Sequence, residues 1–346
     1  MLSLLSLNKT LGSDYLKVIL FTHGSDIDGL GCVILAHLAL SNLDYVLCSN
    51  PNELEMKVRE LYENEKLYDY DKIYITDLAL NEPVLTIIAK DEMLSKRIEI
   101  FDHHKSAIDS GLNKYGFTHI HVEVDGIHTC GTELFYKYLI NSNYLEPTKL
   151  LDEFVELTRL EDTWEWKNDP VNGEKAWNLA VLLSILDTSK YIETIYQKLI
   201  SSSNSFEYTS EELELIYNKK QEDARVVKSM WSEAEFMCDE EGNKIAVILG
   251  SCQYIGGLSE YIRKVCNNIK YFILIDLDKE PLPQRSYRSI DEDFDVCEVA
   301  KRHGGGGHKG ASGALISIED KNKALDILSK NKIEGLKYLI NIKYNS

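Results

Sequence analysis

From Lys17 onward the chain alternates short apolar runs with amphipathic stretches, and this alternation restricts its fold more than any other feature. "KVILFT" precedes "LGCVILAHLALS", "YVLCS" precedes "ELEMKVRELYE", "KIYITD" precedes "PVLTIIAKDEML", and "IEIFD" runs into a loop. A strand-length apolar run followed by a helical period is the pattern of βαβ units, whose strands lie parallel and are covered by helices on both faces. Ligands of such sheets sit beyond the carboxyl ends of the strands. Three of these ends carry the same residue types: His23, Asp26 and Asp28 after the first run, Asp77 closing the third, and Asp102, His103 and His104 after the fourth.

The region 148–199 reads as successive helices and includes "TRLEDTWEW". A polar segment follows, in which Thr209 or Ser210 can cap a long helix starting near Glu211. A second α/β pattern begins at Lys244 and contains "KIAVILG", "KYFILIDL", "RSYRS" and "HGGGGHKGASGAL". With 346 residues, enough for two cores, the expected class is α/β. It comprises an N-terminal, mostly parallel-sheet domain over 1–200 with helices on both faces, a helical linker over 201–240 and a smaller α/β domain over 241–346.

Charge and cysteine content narrow the function. Fifty-six acidic against 38 basic residues leave a net charge of −18, which argues against gripping long nucleic acid by neutralising a run of phosphates. Short substrates stay open, because a metal or a local basic pocket can handle a few phosphates. Seven cysteines without a CxxC pair suit reduced thiols rather than a disulfide framework. The opening "MLSLLSL" lacks a basic leading segment and a small-residue cleavage site, so it is not expected to act as a secretory leader. No apolar run approaches the roughly 20 residues of a membrane span, and a cytoplasmic location is expected.

Aspartate and histidine together suit Mn²⁺, Mg²⁺ or Fe²⁺ better than a thiolate-seeking ion. Asp26 and Asp28, two apart on a turn eased by Gly24 and Gly29, can address two different ions, and Asp77 has two oxygens with which to bridge them. Two cations roughly 3.5 to 4 Å apart form a clamp for phosphoester hydrolysis. Taken singly, "DID" is a solvated loop and Asp77 a helix cap. An aspartate and two histidines at one buried strand end need compensation for desolvation, and the joint pattern is a poor coincidence. Gly304 to Gly307 would be a flexible turn alone. With His308 and Lys309 after them and Arg285 and Arg288 before, they reverse the local charge and expose N–H groups to phosphate oxygens. Trp164, Trp166 and Tyr254 read as core, and His119, His121 and His128 as edge-strand residues.

The triplet Asp102-His103-His104, with "HGSDIDG" upstream and Asp77 between, resembles the DHH phosphoesterase superfamily, and "GGGGHKGASG" from Gly304 to Gly313 resembles the signature of its associated DHHA1 domain. The resemblance covers nearly the whole chain. It implies an active site in the interdomain cleft and two Mn²⁺ ions, with Mg²⁺ or another divalent ion as substitutes. His23, Asp26 and Asp77 would hold one ion; Asp28, Asp77, His103 and Asp162 the other, Asp162 being preferred to Glu161 and Asp152. It implies catalytic roles for Asp77, for His104 at the substrate phosphate, and for Asp102 in orienting its neighbours. Gly305, Gly306, Gly307 and His308, supported by Arg288, would bind the terminal phosphate or end nucleotide.

The two-domain form is similar to the nanoRNases, and "HGSDIDGLGC" and "DTWEW" to the second Bacillus-type subgroup. The expected partner is a short oligonucleotide or dinucleotide degraded stepwise to mononucleotides, with no long nucleic acid, no membrane, and a homodimer allowed. Hydrolysis of a cyclic dinucleotide or of pApA is the alternative. A RecJ-like exonuclease fits the charge less well, and a manganese pyrophosphatase would carry a Lys/Arg-rich second domain. A silent nucleotide-binding protein is the reading from outside the enzymes.

Overall fold

The computed structural model describes residues 16–344, so the opening "MLSLLSL" lies outside the described residues. The chain divides into two compact units, the first running to Ile216 and the second starting at Tyr217.

In the first unit the elements are β1 (Lys17–His23), α1 (Ile27–Ala39), β2 (Asn42–Cys48), α2 (Pro51–Glu63), β3 (Lys72–Thr76), α3 (Glu82–Lys90), β4 (Ile98–Asp102), α4 (Lys105–Asp109), β5 (Thr118–Ile120), β6 (Glu123–Val124) and β7 (Ile127–His128). They continue as α5 (Gly131–Asn141), α6 (Lys149–Asp162), α7 (Gly173–Ile185) and α8 (Thr188–Leu199), and α9 (Ser210–Ser232) runs from the end of this unit into the second. Five parallel strands form a sheet in the order β2-β1-β3-β4-β5. Alternation along β1 sends Val18 and Leu20 into a core with α1 and α5 to α8, and Ile19 and Phe21 into a second core with α2 and α3. Both faces are therefore covered, as the continuous apolar runs require. The strand order reverses between β1 and β3, and ligands of open α/β sheets bind at the carboxyl side of such a switch point. His23 and Asp77 stand on its two sides.

Helix α9 starts with a reciprocal cap: Glu212 N–H donates to Thr209 Oγ1 at 3.2 Å and Thr209 N–H to Glu212 Oε2 at 2.8 Å. Of the two cap candidates, Thr209 is the one used.

The second unit carries β8 (Glu235–Cys238), β9 (Lys244–Leu249), α10 (Ile255–Val265), β10 (Tyr271–Asp276), β11 (Gln284–Ser289), α11 (Val296–Arg302), β12 (Gly306–His308), β13 (Ala311–Leu315), α12 (Ile318–Lys330) and α13 (Lys332–Asn341). Its six strands lie in the order β12-β13-β11-β10-β9-β8, with only β9 and β10 parallel. One face packs on α11 to α13 and the other on α10 and the end of α9. The glycine run is not a loop throughout, since Gly306 to His308 is a strand paired with β13. Strand β8, in the segment read as linker, is the sheet's edge.

Candidate metal centre

Close backbone packing at the end of β1 sets the first ligands. A Cβ on Gly29 would lie 2.0 Å from the His23 carbonyl oxygen, so only glycine permits this turn. Asp26 caps α1 through Oδ1, which accepts from Gly29 N–H at 3.1 Å, while its Oδ2 meets His23 Nδ1 at 2.5 Å. The bond to Asp26 raises the His23 pKa. Burial pushes the Asp26 carboxyl up, but His23 and the Gly29 N–H outweigh it and leave the pKa lowered. Asp28 points inward with no exposed surface, and its two oxygens accept from the N–H groups of Gly131 and Thr132 at 2.7 Å each. The N-terminus of α5 thus holds this carboxylate, as its dipole favours.

Asp77 leaves β3 with φ 55°, in the left-handed region, and is 2% exposed. Asp26, Asp28, Asp77 and Asp162 converge here. His103 Nε2 lies 3.3 Å from Asp77 Oδ1, 3.5 Å from Asp162 Oδ2 and 3.7 Å from Asp28 Oδ2, and His23 Nδ1 lies 3.7 Å from Asp77 Oδ2. These separations exceed hydrogen bonds. Asp77 Oδ2, His103 Nε2 and Asp162 Oδ2 are buried without a hydrogen-bond partner. Burial first, then the neighbouring carboxylates, drives the Asp77 pKa well up and that of Asp162 to about 9. Burial lowers the pKa of His103, which keeps its ring neutral and able to ligate.

Orphaned oxygen and imidazole donors crowded at ligand spacing fit divalent cations. The ligand atoms fall into groups: His23, Asp26 and Asp77; Asp28, His103 and Asp162; and Asp77, His103 and His104. Among the described residues, Glu161 and Asp152 join none of them. Asp152 accepts from the Tyr136 hydroxyl at 2.7 Å, and burial beside Asp26 and Asp28 raises the Glu161 pKa to about 7.

Asp102, 1% exposed, accepts from the backbone N–H groups of His103 and His104 and meets His104 Nδ1 at 2.7 Å. The bond to Asp102 raises the pKa of the half-exposed His104.

Gly131 and Thr132 escaped the sequence reading. A Cβ on Gly131 would come within 2.9 Å of both Asp28 Oδ2 and Asp77 Cβ, so the small-residue start of "GTELFYKYL" is what lets α5 approach. Trp164 is not core: it is 57% exposed, sits at φ 64° two residues after Asp162, and carries the Lys167 ammonium 4.3 Å from its ring centroid. Trp166 stacks on Trp177 at 5.2 Å, and Tyr254 packs into the second unit's core. His119 meets Glu99 at 2.7 Å, and none of His119, His121 and His128 joins a ligand group among the described residues.

In the second unit, Arg288 pairs with Ala311 and Ala311 with His308, which places Arg288 and His308 on one sheet face. Ser286, Gly313 and Gly306 form the adjacent row. Gly305 and Gly307 are required by the fold: a Cβ would lie 2.0 Å from Gly313 O and 2.7 Å from Ala311 O respectively. A Cβ on Gly306 would meet nothing within 4 Å. Arg285 does not join this face. Fully buried, it donates to the carbonyls of Leu339, Ile342 and Leu315 at 3.1, 2.8 and 3.4 Å and ties α13 to the sheet.

No protein-family model matches the chain. It is 30% identical over 302 residues to oligoribonuclease NrnB of Bacillus subtilis, spanning 87% of this chain and 73% of that protein. Among solved structures, the DHH domain of a member of a ribosomal-protein family aligns over 95% of this chain and 88% of its own, with a TM-score of 0.60 at 13% identity. An exopolyphosphatase-related protein from Bacteroides fragilis aligns over 92% and 93%, with a TM-score of 0.47 at 17% identity.

Proposed function

The chain belongs to the DHH/DHHA1 phosphoesterases, in the family of oligoribonuclease NrnB, and on that premise we propose that it is a metal-dependent phosphodiesterase that degrades short oligonucleotides stepwise to mononucleotides. The observation that carries this reading is the set of three buried ligand atoms without hydrogen-bond partners on Asp77, His103 and Asp162 at the sheet's switch point. His23, Asp26 and Asp77 would hold one divalent ion and Asp28, Asp77, His103 and Asp162 a second, with Mn²⁺ the ion assigned. Bound there, such ions supply activation of water and neutralisation of charge on phosphoryl oxygens.

The chain's own residues do the remaining work. Asp28 is locked by two backbone donors and Asp26 by a helix start, so the ligands are held before substrate arrives. Asp102 fixes the His104 ring through Nδ1 and raises its pKa, which favours the protonated ring that can donate to a phosphoryl oxygen. On the second unit, Arg288 and His308 beside side-chain-free Gly306 are assigned the terminal phosphate or end nucleotide, with Gly305 and Gly307 shaping the strand. We assign the protein to the cytoplasm; no helix among the described residues is long and apolar enough to cross a membrane.

Product analysis tests the reading. With Mn²⁺, a di-, a tri- and a pentaribonucleotide are expected to fall to mononucleotides, a strand several times longer to be spared, and chelator to stop the reaction. Preference for cyclic di-AMP or pApA, or cutting of the long strand, would replace the substrate assigned here. Gly306→Val examines the second unit: because space is open at that Cβ, the expected result is an unchanged melting temperature with KM for dinucleotides raised about tenfold or more. An unchanged KM would remove Gly306 from the substrate face.

A further inference from the structure

The metal centre forms one wall of a cleft of about 660 Å³ within the first unit, a size in the range of small-molecule sites. The facing wall comes from the start of α2 and α3, the segments "SNPNE" and "LNEP", and serves no metal ligand. Its polar residues are Ser49, Asn50, Asn52, Glu55, Asn81 and Glu82, and among the described residues no lysine or arginine lines the cleft. A further phosphate would meet the carboxylates of Glu55 and Glu82, whose cation partners Arg59 and Lys114 are not among the residues that line the cleft. The substrate part that suits this wall is uncharged and rich in hydrogen-bonding groups.

Glu55 is set to read such a group. Asn81 is fixed because its Oδ1 caps α3, accepting from Val84 N–H at 3.3 Å, and its Nδ2 donates to Glu55 Oε2. Arg59 Nε donates to Glu55 Oε1 at 2.8 Å from outside the cleft. A carboxylate has about four lone-pair sites; two are used here, which leaves two for hydroxyl donors. Carboxylate acceptance from ribose hydroxyls is a general mode of nucleotide recognition. Glu82, the other carboxylate of this wall, is paired with Lys114.

Resting on the phosphodiesterase reading, we propose that this cleft binds the unphosphorylated terminal ribonucleoside next to the scissile phosphate, with Glu55, oriented by Asn81 and Arg59, accepting from its ribose hydroxyls. Glu55 thereby makes the enzyme selective for RNA over DNA and for a chain end over an internal nucleotide. The test measures kcat/KM for dinucleotides with 2′-deoxyribose, or an added terminal phosphate, at either residue. One residue is expected to be sensitive: 2′-deoxy substitution there lowers kcat/KM about tenfold or more, and a terminal phosphate on the same residue lowers it as well. Glu55→Gln is expected to reduce the ribo-to-deoxy ratio towards one. Equal turnover of ribo and deoxy forms, tolerance of phosphate at both ends, or undiminished selectivity in Glu55→Gln would each overturn the proposal. The substitution series on the native protein decides the matter even where the variant fails to fold. Chelator-sensitive hydrolysis of bis(p-nitrophenyl) phosphate, a diester without ribose, by the native protein reports the phosphodiesterase reading alone. Its failure would overturn that reading; its success with equal ribo and deoxy turnover would overturn only the ribonucleoside site.

Discussion

Asp77→Asn is expected to lower kcat on short oligonucleotides by on the order of a thousandfold, the loss associated with removing a group that organises charge in a transition state, while leaving the metal-free fold intact or stabilised. Asparagine is chosen because Asp77 occupies φ 55°, a region that asparagine tolerates and that strains most other side chains. Alanine would mix loss of charge with backbone strain. The stability half of the expectation follows from crowding. Asp77 is buried among Asp28, Asp26, Asp162 and Asp102, and its carboxyl pKa is driven well up. Without metal the native state therefore favours the neutral form of Asp77, and an amide of the same shape removes little. Melting temperature without metal and kcat with Mn²⁺ separate the two effects. Activity retained with metal bound would show that Asp77 is not the bridge. A drop in both would point to a role in folding.

Much of this centre was legible because strand ends are easy to find. Four apolar runs fixed where β1 to β4 stop, and titratable residues clustered after three of them. Side-chain parity was equally legible but went unused: Arg285 and Arg288 are three apart on β11, so a strand must send them to opposite faces. One became a buried tie for α13 and the other remained on the face shared with His308. Gly131 and Thr132 could not be found from spacing, since 103 and 104 residues separate them from the Asp28 they hold. Only the tertiary approach of α5 to the turn after β1 shows why a glycine must stand there. Strand β8 was missed for a different reason. As an edge strand it alternates half-buried and exposed residues, so "EFMC" lacks the continuous apolar run that marks a central strand.

The same crowding ties metal binding to pH, with a sign that can be worked out. Burial and neighbouring carboxylates raise the Asp162 pKa to about 9 in the metal-free folded chain, against roughly 3.9 for an unfolded aspartate; Asp77 shifts the same way. The folded state then holds these protons more tightly than the unfolded state. Their contribution to stability is complete below the unfolded pKa and is lost as pH rises towards 9. A divalent cation replaces those protons, so binding releases them and strengthens with pH over the same window. The bond to Asp26 raises the His23 pKa, and loss of that proton on ligation acts in the same direction. The expected result is a melting temperature raised by Mn²⁺ at every pH between 6 and 8.5 (roughly 5 to 10 °C when the ion is near a hundredfold its Kd), with the difference between metal-bound and metal-free protein growing as pH rises. Calorimetry in buffers of different ionisation enthalpy should show protons released on binding. A shift that does not vary with pH would mean that Asp77 and Asp162 are already ionised before the ion arrives. No shift at all would remove the metal centre, and with it the reason for three ligand atoms left without hydrogen bonds at the end of this sheet.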